Sequence, residues 1–218
     1  MILSALLLFL HNKLEDRRWG RAAAETLTEI QTVIDQRTEA RETMPEAVHA
    51  DPQQETVPAP TVDPRWEDPA NWPDTDFEPG GEPIEDGSGM PVVTLSEINY
   101  IGVISIPALG LELPVMSPGN YDHLDMGPIC QFGSPATGDM VIAAHNTNNF
   151  FGKIDSLRPG DPITFTDVNG RVYNYVVSHG ELLQVGQVSE ARNNGYPLGL
   201  YTCAYDGTLR FIVLCDRA

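Results

Sequence analysis

An acidic, proline-rich block in the middle of the chain decides how much of it can fold. Residues 42–90 carry 13 Asp or Glu against one basic residue, Arg65, together with nine of the eighteen prolines. Such a stretch cannot bury enough apolar surface to offset the entropy of ordering it, so it reads as an extended linker. It separates residues 1–41 from a terminal unit, 91–218, which alone has a globular composition, with 12 acidic and 6 basic residues. The formal net charge of −18 argues against non-specific nucleic-acid binding. Three cysteines, odd in number and irregular in spacing, suggest neither a disulfide framework nor a zinc site. Cys130 and Cys215, in apolar or strand-like surroundings, are expected to be small core residues.

The chain opens "MILSALLLFL", an apolar run shorter than the roughly 20 residues that a membrane span needs. It lacks the basic start and small-residue cleavage site of a removable signal peptide. The expectation is the end of a membrane anchor, with an interfacial helix as the alternative. Residues 21–38 then place Leu27, Ile30 and Ile34 at 3- and 4-residue spacing among good helix formers, which predicts a stalk helix. Within the linker, Trp66, Trp72 and Phe77 interrupt the polar run, and aromatics there suggest docking on the following unit, as plain packing or as a lid.

Residues 91–218 read as β-rich. Strands are expected at 100–107, 111–116, 139–145, 162–167, 171–178, 181–185, 197–203 and 209–215, rich in Val, Ile, Tyr and Phe and punctuated by Gly, Pro, Asn and Asp. Short helices fit at Tyr121–Leu124, Phe150–Leu157 and Val188–Arg192. Eight short strands in so few residues favour a closed or nearly closed barrel.

Near the end the chain reads "LYTCAYDGTLRFIVL". Asp206-Gly207 is a strong two-residue hairpin signal, and Asn169-Gly170 is a second. With Asp206-Gly207 as the turn, Tyr205 pairs with Thr208, Ala204 with Leu209 and Cys203 with Arg210. Opposed residues in an antiparallel pair share a face with Cα atoms about 4.5–5.5 Å apart. A guanidinium beside a thiol favours the thiolate and can hold a developing oxyanion. Taken alone, the hairpin is equally compatible with a half-buried strand cysteine facing an arginine. His145, at the exit of the apolar strand "MVIAAHN", is the second candidate, set against an ordinary structural histidine. His123 and His179 read as loop and strand-end residues.

In order along residues 99–216, "YIGVISIPALGLELPVM", "GDMVIAAHN", "FGKIDSLRPGDPITF" and "GLYTCAYDGTLRFIV" resemble the sortase family. Three separated elements agree: a His after a buried strand, Thr-Cys ending another, and an Arg on the next. The resemblance implies a mainly β fold, a closed eight-stranded sortase-type barrel with short helices, preceded here by the N-terminal helix and the acidic linker. It implies a membrane-anchored cysteine transpeptidase of Gram-positive bacteria, with its catalytic domain outside the cell. Such an enzyme cleaves a C-terminal sorting signal on a secreted protein and joins it to an amine of a peptidoglycan precursor or a pilin lysine. Carried over, Cys203 is the nucleophile, His145 the general acid/base and Arg210 the oxyanion stabiliser, with no metal or organic cofactor required. Thr202 matches the family's Thr before Cys; Thr202, Tyr205, Asn146, Trp66 and Trp72 are substrate-region candidates.

Two features depart from the family pattern. Gly199 stands first in the family's Thr-Leu-x-Thr-Cys, and six residues separate Cys203 from Arg210, fewer than in many sortases. "DPRW" and "DPANW" are similar to the lid of pilus-building sortases but have no aromatic directly after Asp-Pro. The run from His145 to Leu157 is nearer to class B-like sortases. Competing readings are another cell-wall Cys–His peptidase or transpeptidase, and a non-catalytic surface module on the same barrel.

Overall fold

The structure is a computed structural model and describes residues 2–43, 89–184, 187, 195–204 and 207–218. One long helix, α1 (Ile2–Glu42), precedes nine strands: β1 (Val93–Leu95), β2 (Ile98–Ile106), β3 (Leu111–Met116), β4 (Ile129–Phe132), β5 (Met140–Ala143), β6 (Pro162–Asp167), β7 (Val172–Gln184), β8 (Leu198–Ala204) and β9 (Leu209–Arg217). Their order is β1-β2-β3-β4-β5-β8-β9-β7-β6, and β6 pairs back onto β2. Strands β2 to β9 therefore close a ring, the eight-stranded barrel expected from the sequence, and β1 extends β2 outside it.

The strands differ from the expected ones in three places. β4 is only four residues long and lies between Gly127-Pro128 and Gly133, so its pattern is too short to read. Ile129 and Cys130 in it are nonetheless fully buried. β1 and β2 are joined by Ser96-Glu97, both at positive φ, a hairpin made from residues that rarely adopt this conformation. The expected strands at 171–178 and 181–185 are one, β7, whose register slips between Val177 and His179 against β9. That slip falls where the expected strands 171–178 and 181–185 were separated. The expected helices at 121–124 and 150–157 shrink to 3₁₀ turns at Tyr121–His123 and Ile154–Ser156. Val188–Arg192 and residues 60–80 of the linker lie outside the described residues.

Asn169-Gly170 makes the β6–β7 turn. The Asp167 carboxylate accepts the amides of Asn169 and Arg171, both at 2.9 Å, and Gly170 takes a φ of 79° that suits glycine. The barrel interior is filled by alternating apolar residues, including Ile104, Ile106, Met140, Ile142, Phe165 and Leu200, none exposed. Cys130 and Cys215 belong to this core, and burial pushes the Cys215 thiol up to about 12.

The spaced apolar residues of α1 find their partners on the barrel itself. Ile30 and Ile34 pack with Ile98, Tyr100, Val103, Met116 and Ile129, and Leu27 lies against the same cluster. Strand β2 is thus covered on both faces, by the barrel interior and by α1. Further along, Arg37 donates to the Asn169 side chain at 3.0 Å, and Thr38 lies over Gly170, where a Cβ would come within 2.2 Å of its hydroxyl. No helix among the described residues is long and apolar enough to cross a membrane. Beyond the C-terminal end of α1, Arg41, Gly89, Met90, Ser134, Asp167 and Arg171 line a cavity.

Barrel closure runs through Gly102, which pairs with Val115 on β3 and with Asp167 on β6. A Cβ there would sit 2.2 Å from the Thr166 carbonyl oxygen and 2.8 Å from the Phe165 ring. Backbone cannot yield as a flexible side chain would. Gly102→Ala is expected to lower unfolding free energy by about 1–3 kcal/mol in urea titrations, the usual cost of overpacking. An unchanged midpoint would show that the seam accommodates a methyl group.

Candidate active site

Strand β8 lies between β5 and β9 at one end of the barrel. β5 and β8 run parallel, with Met140 opposite Leu198 and Ala143 opposite Tyr201. The pairing continues past the ladder. The Ala144 amide donates to the Tyr201 carbonyl at 3.2 Å, the buried Thr202 hydroxyl donates to the Ala144 carbonyl at 2.8 Å, and the Asn146 side-chain amide donates to the Cys203 carbonyl at 2.8 Å. Carrying the register two residues on sets His145 level with Cys203. On its other side Cys203 pairs with Arg210, Thr202 with Phe211 and Ala204 with Leu209, as the Asp-Gly turn predicts. Adjacent strands lie about 4.8 Å apart. In register, His145 just past the end of β5, Cys203 on β8 and Arg210 on β9 therefore form a row with Cys203 in the middle.

Each member of the row is held by its own local structure. The His145 carbonyl accepts the amides of Thr147 (2.9 Å) and Phe151 (3.1 Å), curling the chain tightly after β5. Phe150 and Phe151 plug that curl into the core. Gly152 lets it close, since a Cβ there would meet the Thr147 carbonyl oxygen at 2.6 Å. The His145 ring stacks against Trp19 of α1, with centroids 6.1 Å apart and planes 19° from parallel. Burial lowers the His145 pKa below the ordinary imidazole range, and the Asp125 charge opposes that shift. Cys203 is half-buried. Arg210 is also half-buried and donates from Nη1 to the carbonyls of Gly207 (2.9 Å) and Leu209 (3.1 Å), which fixes its guanidinium on the turn.

A half-buried cysteine with a histidine and a turn-held arginine at the neighbouring register positions is a residue set suited to nucleophilic acyl transfer. Among the other sequence candidates, Thr202 and Asn146 are joined to the row through backbone carbonyls, which makes them ties between β5 and β8. Tyr205, Trp66 and Trp72 lie outside the described residues. His123 stands on an exposed turn, and His179 meets the Tyr196 ring edge-on at 5.4 Å. Sequence reasoning missed Trp19 and Asp125. Trp19 carried one usable signal, being the single aromatic between His11 and the linker, but no spacing rule links it to a residue more than a hundred positions away.

Removing the tie at Thr202 tests its structural part. Thr202→Val keeps the shape but leaves the Ala144 carbonyl without its hydroxyl donor. It is expected to cost about 1–3 kcal/mol of stability by urea unfolding. A loss of activity with no loss of stability would instead make the hydroxyl a substrate contact.

Comparison with known proteins bears on the barrel as a whole. The Sortase domain family matches residues 104–218, just over half of the chain. Sortase A of Bacillus anthracis is 29% identical over 131 residues, covering 56% of this chain and 62% of that protein. The chain thus spans less than two thirds of that relative's length. Among solved structures, the lid mutant of Sortase A from Corynebacterium diphtheriae superposes with a TM-score of 0.50 at 25% identity, over 56% of this chain and 72% of that one. The pilus-related Sortase C of Group B Streptococcus shares the fold, with a TM-score of 0.50 at 24% identity over 57% and 69% of the two chains. Matched by that domain over more than half of its length, and folded as a closed eight-stranded barrel, the chain belongs to the sortase family.

Proposed function

We propose that the chain is a cysteine transpeptidase that exchanges a peptide bond for a new amide through a thioester. The observation that carries this reading is the register that sets His145, just past β5, level with Cys203 on β8 and Arg210 on β9. Cys203 as thiolate attacks the carbonyl carbon of the scissile peptide bond, and its oxygen becomes an oxyanion beside the Arg210 guanidinium. Arginine suits that place because it keeps its charge at every working pH. As the tetrahedral centre collapses, the C–N bond breaks and His145 supplies the proton that the leaving amine needs. The acyl group stays on Cys203 as a thioester. An acceptor amine then attacks it, His145 takes up the proton, and the thiolate departs. Division into two acyl transfers avoids direct displacement of an amide nitrogen by an amine.

The donor in this reading is a secreted protein with a C-terminal sorting signal. The acceptor is an amine of a peptidoglycan precursor or of a pilin lysine. The apolar start of the chain would hold the enzyme at the membrane with the barrel outside the cell.

The reaction is tested by mass spectrometry on the full chain with a panel of sorting-signal peptides and triglycine or hydroxylamine as acceptor. A product that disappears in Cys203→Ala is expected, with the thioester trapped at Cys203 when the acceptor is left out. Arg210→Ala and His145→Ala should each reduce the rate by about 10²–10³-fold, the usual range for losing an oxyanion donor or a proton carrier. Turnover that survives in Cys203→Ala would overturn the mechanism. A Cys203 inert to both peptides and thiol reagents would point to a non-catalytic barrel.

A further inference from the structure

The helix α1 lies outside the matched domain, which begins at residue 104, yet it reaches the candidate site. Its approach is fixed along its length. Ala23 is buried in the main core, and Trp19, one turn earlier on the same face, packs against that core. Gly20 brings the helix close to the curl after β5, where a Cβ would stand 3.1 Å from the Asn149 side chain. Farther along, Ile30 and Ile34 bury against the barrel wall and Arg37 bonds to the β6–β7 turn. The indole is therefore carried to the imidazole by a docked element with several independent attachments.

We propose that Trp19 is a positioning residue for His145, its indole fixing the imidazole plane and excluding water from one side, so that α1 forms part of the active site. The hydrogen bonds of the curl fix the His145 backbone but leave two side-chain torsions free. A flat partner at 19° from parallel limits both torsions at once. The proposal rests on the reading of His145 as proton carrier. Water exclusion by Trp19 agrees with burial being the largest influence on the His145 proton. Among charged groups, Asp125 from the segment before β4 acts on the ring, Cys203 and Arg210 follow His145 in register on β8 and β9, and Arg18 precedes Trp19 on α1. Of these, Asp125 pulls the pKa upward, against burial.

The test compares wild type, Trp19→Ala and Trp19→Phe as full-length proteins, by NMR titration of histidine-labelled protein and by transpeptidation kinetics. In Trp19→Ala the His145 pKa is expected to rise toward the ordinary value of about 6.5 as water reaches the ring. The limb of the kcat/KM profile that follows His145 should move up with it. Loss of orientation should lower kcat about tenfold with little change in KM, and Trp19→Phe should restore most of both effects. A melting curve for each variant separates unfolding from misplacement, and Trp19→Phe carries the test if the alanine variant does not fold. Unchanged titration and kcat would overturn the proposal, and so would a rise in kcat/KM, which would make the indole an obstacle to substrate. The titration needs no substrate, so its failure is distinct from failure of the proton-carrier role, which full activity in His145→Ala would reveal.

Discussion

The parallel register between β5 and β8 is the constraint on which the site depends. A parallel pair cannot be joined by a tight turn, so the chain leaves β5, builds β6 and β7 elsewhere on the barrel and returns as β8. His145 and Cys203 come together only because the two strands meet in one alignment. A slip by one residue would turn their side chains to opposite faces. Side chains guard against that slip where the ladder ends: the Thr202 hydroxyl on the Ala144 carbonyl and the Asn146 amide on the Cys203 carbonyl. The antiparallel side needs no such device, because β8 and β9 follow one another within a few residues and pair Ala204 with Leu209 and Cys203 with Arg210.

The helix and the barrel solve each other's burial problem. A barrel wall such as β2, apolar on both faces, must be covered outside as well as inside. A helix with a stripe at Leu27, Ile30 and Ile34 must find an apolar surface. Their contact buries Ile30 completely, the kind of burial that contributes about 1.5–3 kcal/mol for an aliphatic side chain. The same docking brings Trp19 to His145, so stability and site geometry share one interface.

What could be read from the sequence follows the range of the interactions concerned. Local patterns were legible: the Asn169-Gly170 turn, the Cys203–Arg210 register, seven of the eight strands of the ring and the helical spacing of α1. Short or irregular features were not. β4 has too few residues to show a period, β1 is held by a Ser96-Glu97 turn without glycine, and the bulge at Ser178 made one strand look like two. For the site, the residue types at 145, 203 and 210 were visible together with the family resemblance. The direction from which α1 arrives was not, since it depends on surfaces that exist only once the barrel has closed.

The cavity beyond α1 bears on the acidic segment in the middle of the chain. Arg41, near the end of the helix, and Gly89, where the described chain resumes, line the same hollow. The two ends of a long excursion are therefore neighbours in space, and the helix and barrel hold them there. Between ends held in this way, each doubling of the length of a connecting chain costs only about 0.6 kcal/mol in closure entropy. On that entropy alone, a change of length between Thr43 and Gly89 costs the helix, the barrel and the row at the exit of β5 and on β8 and β9 very little.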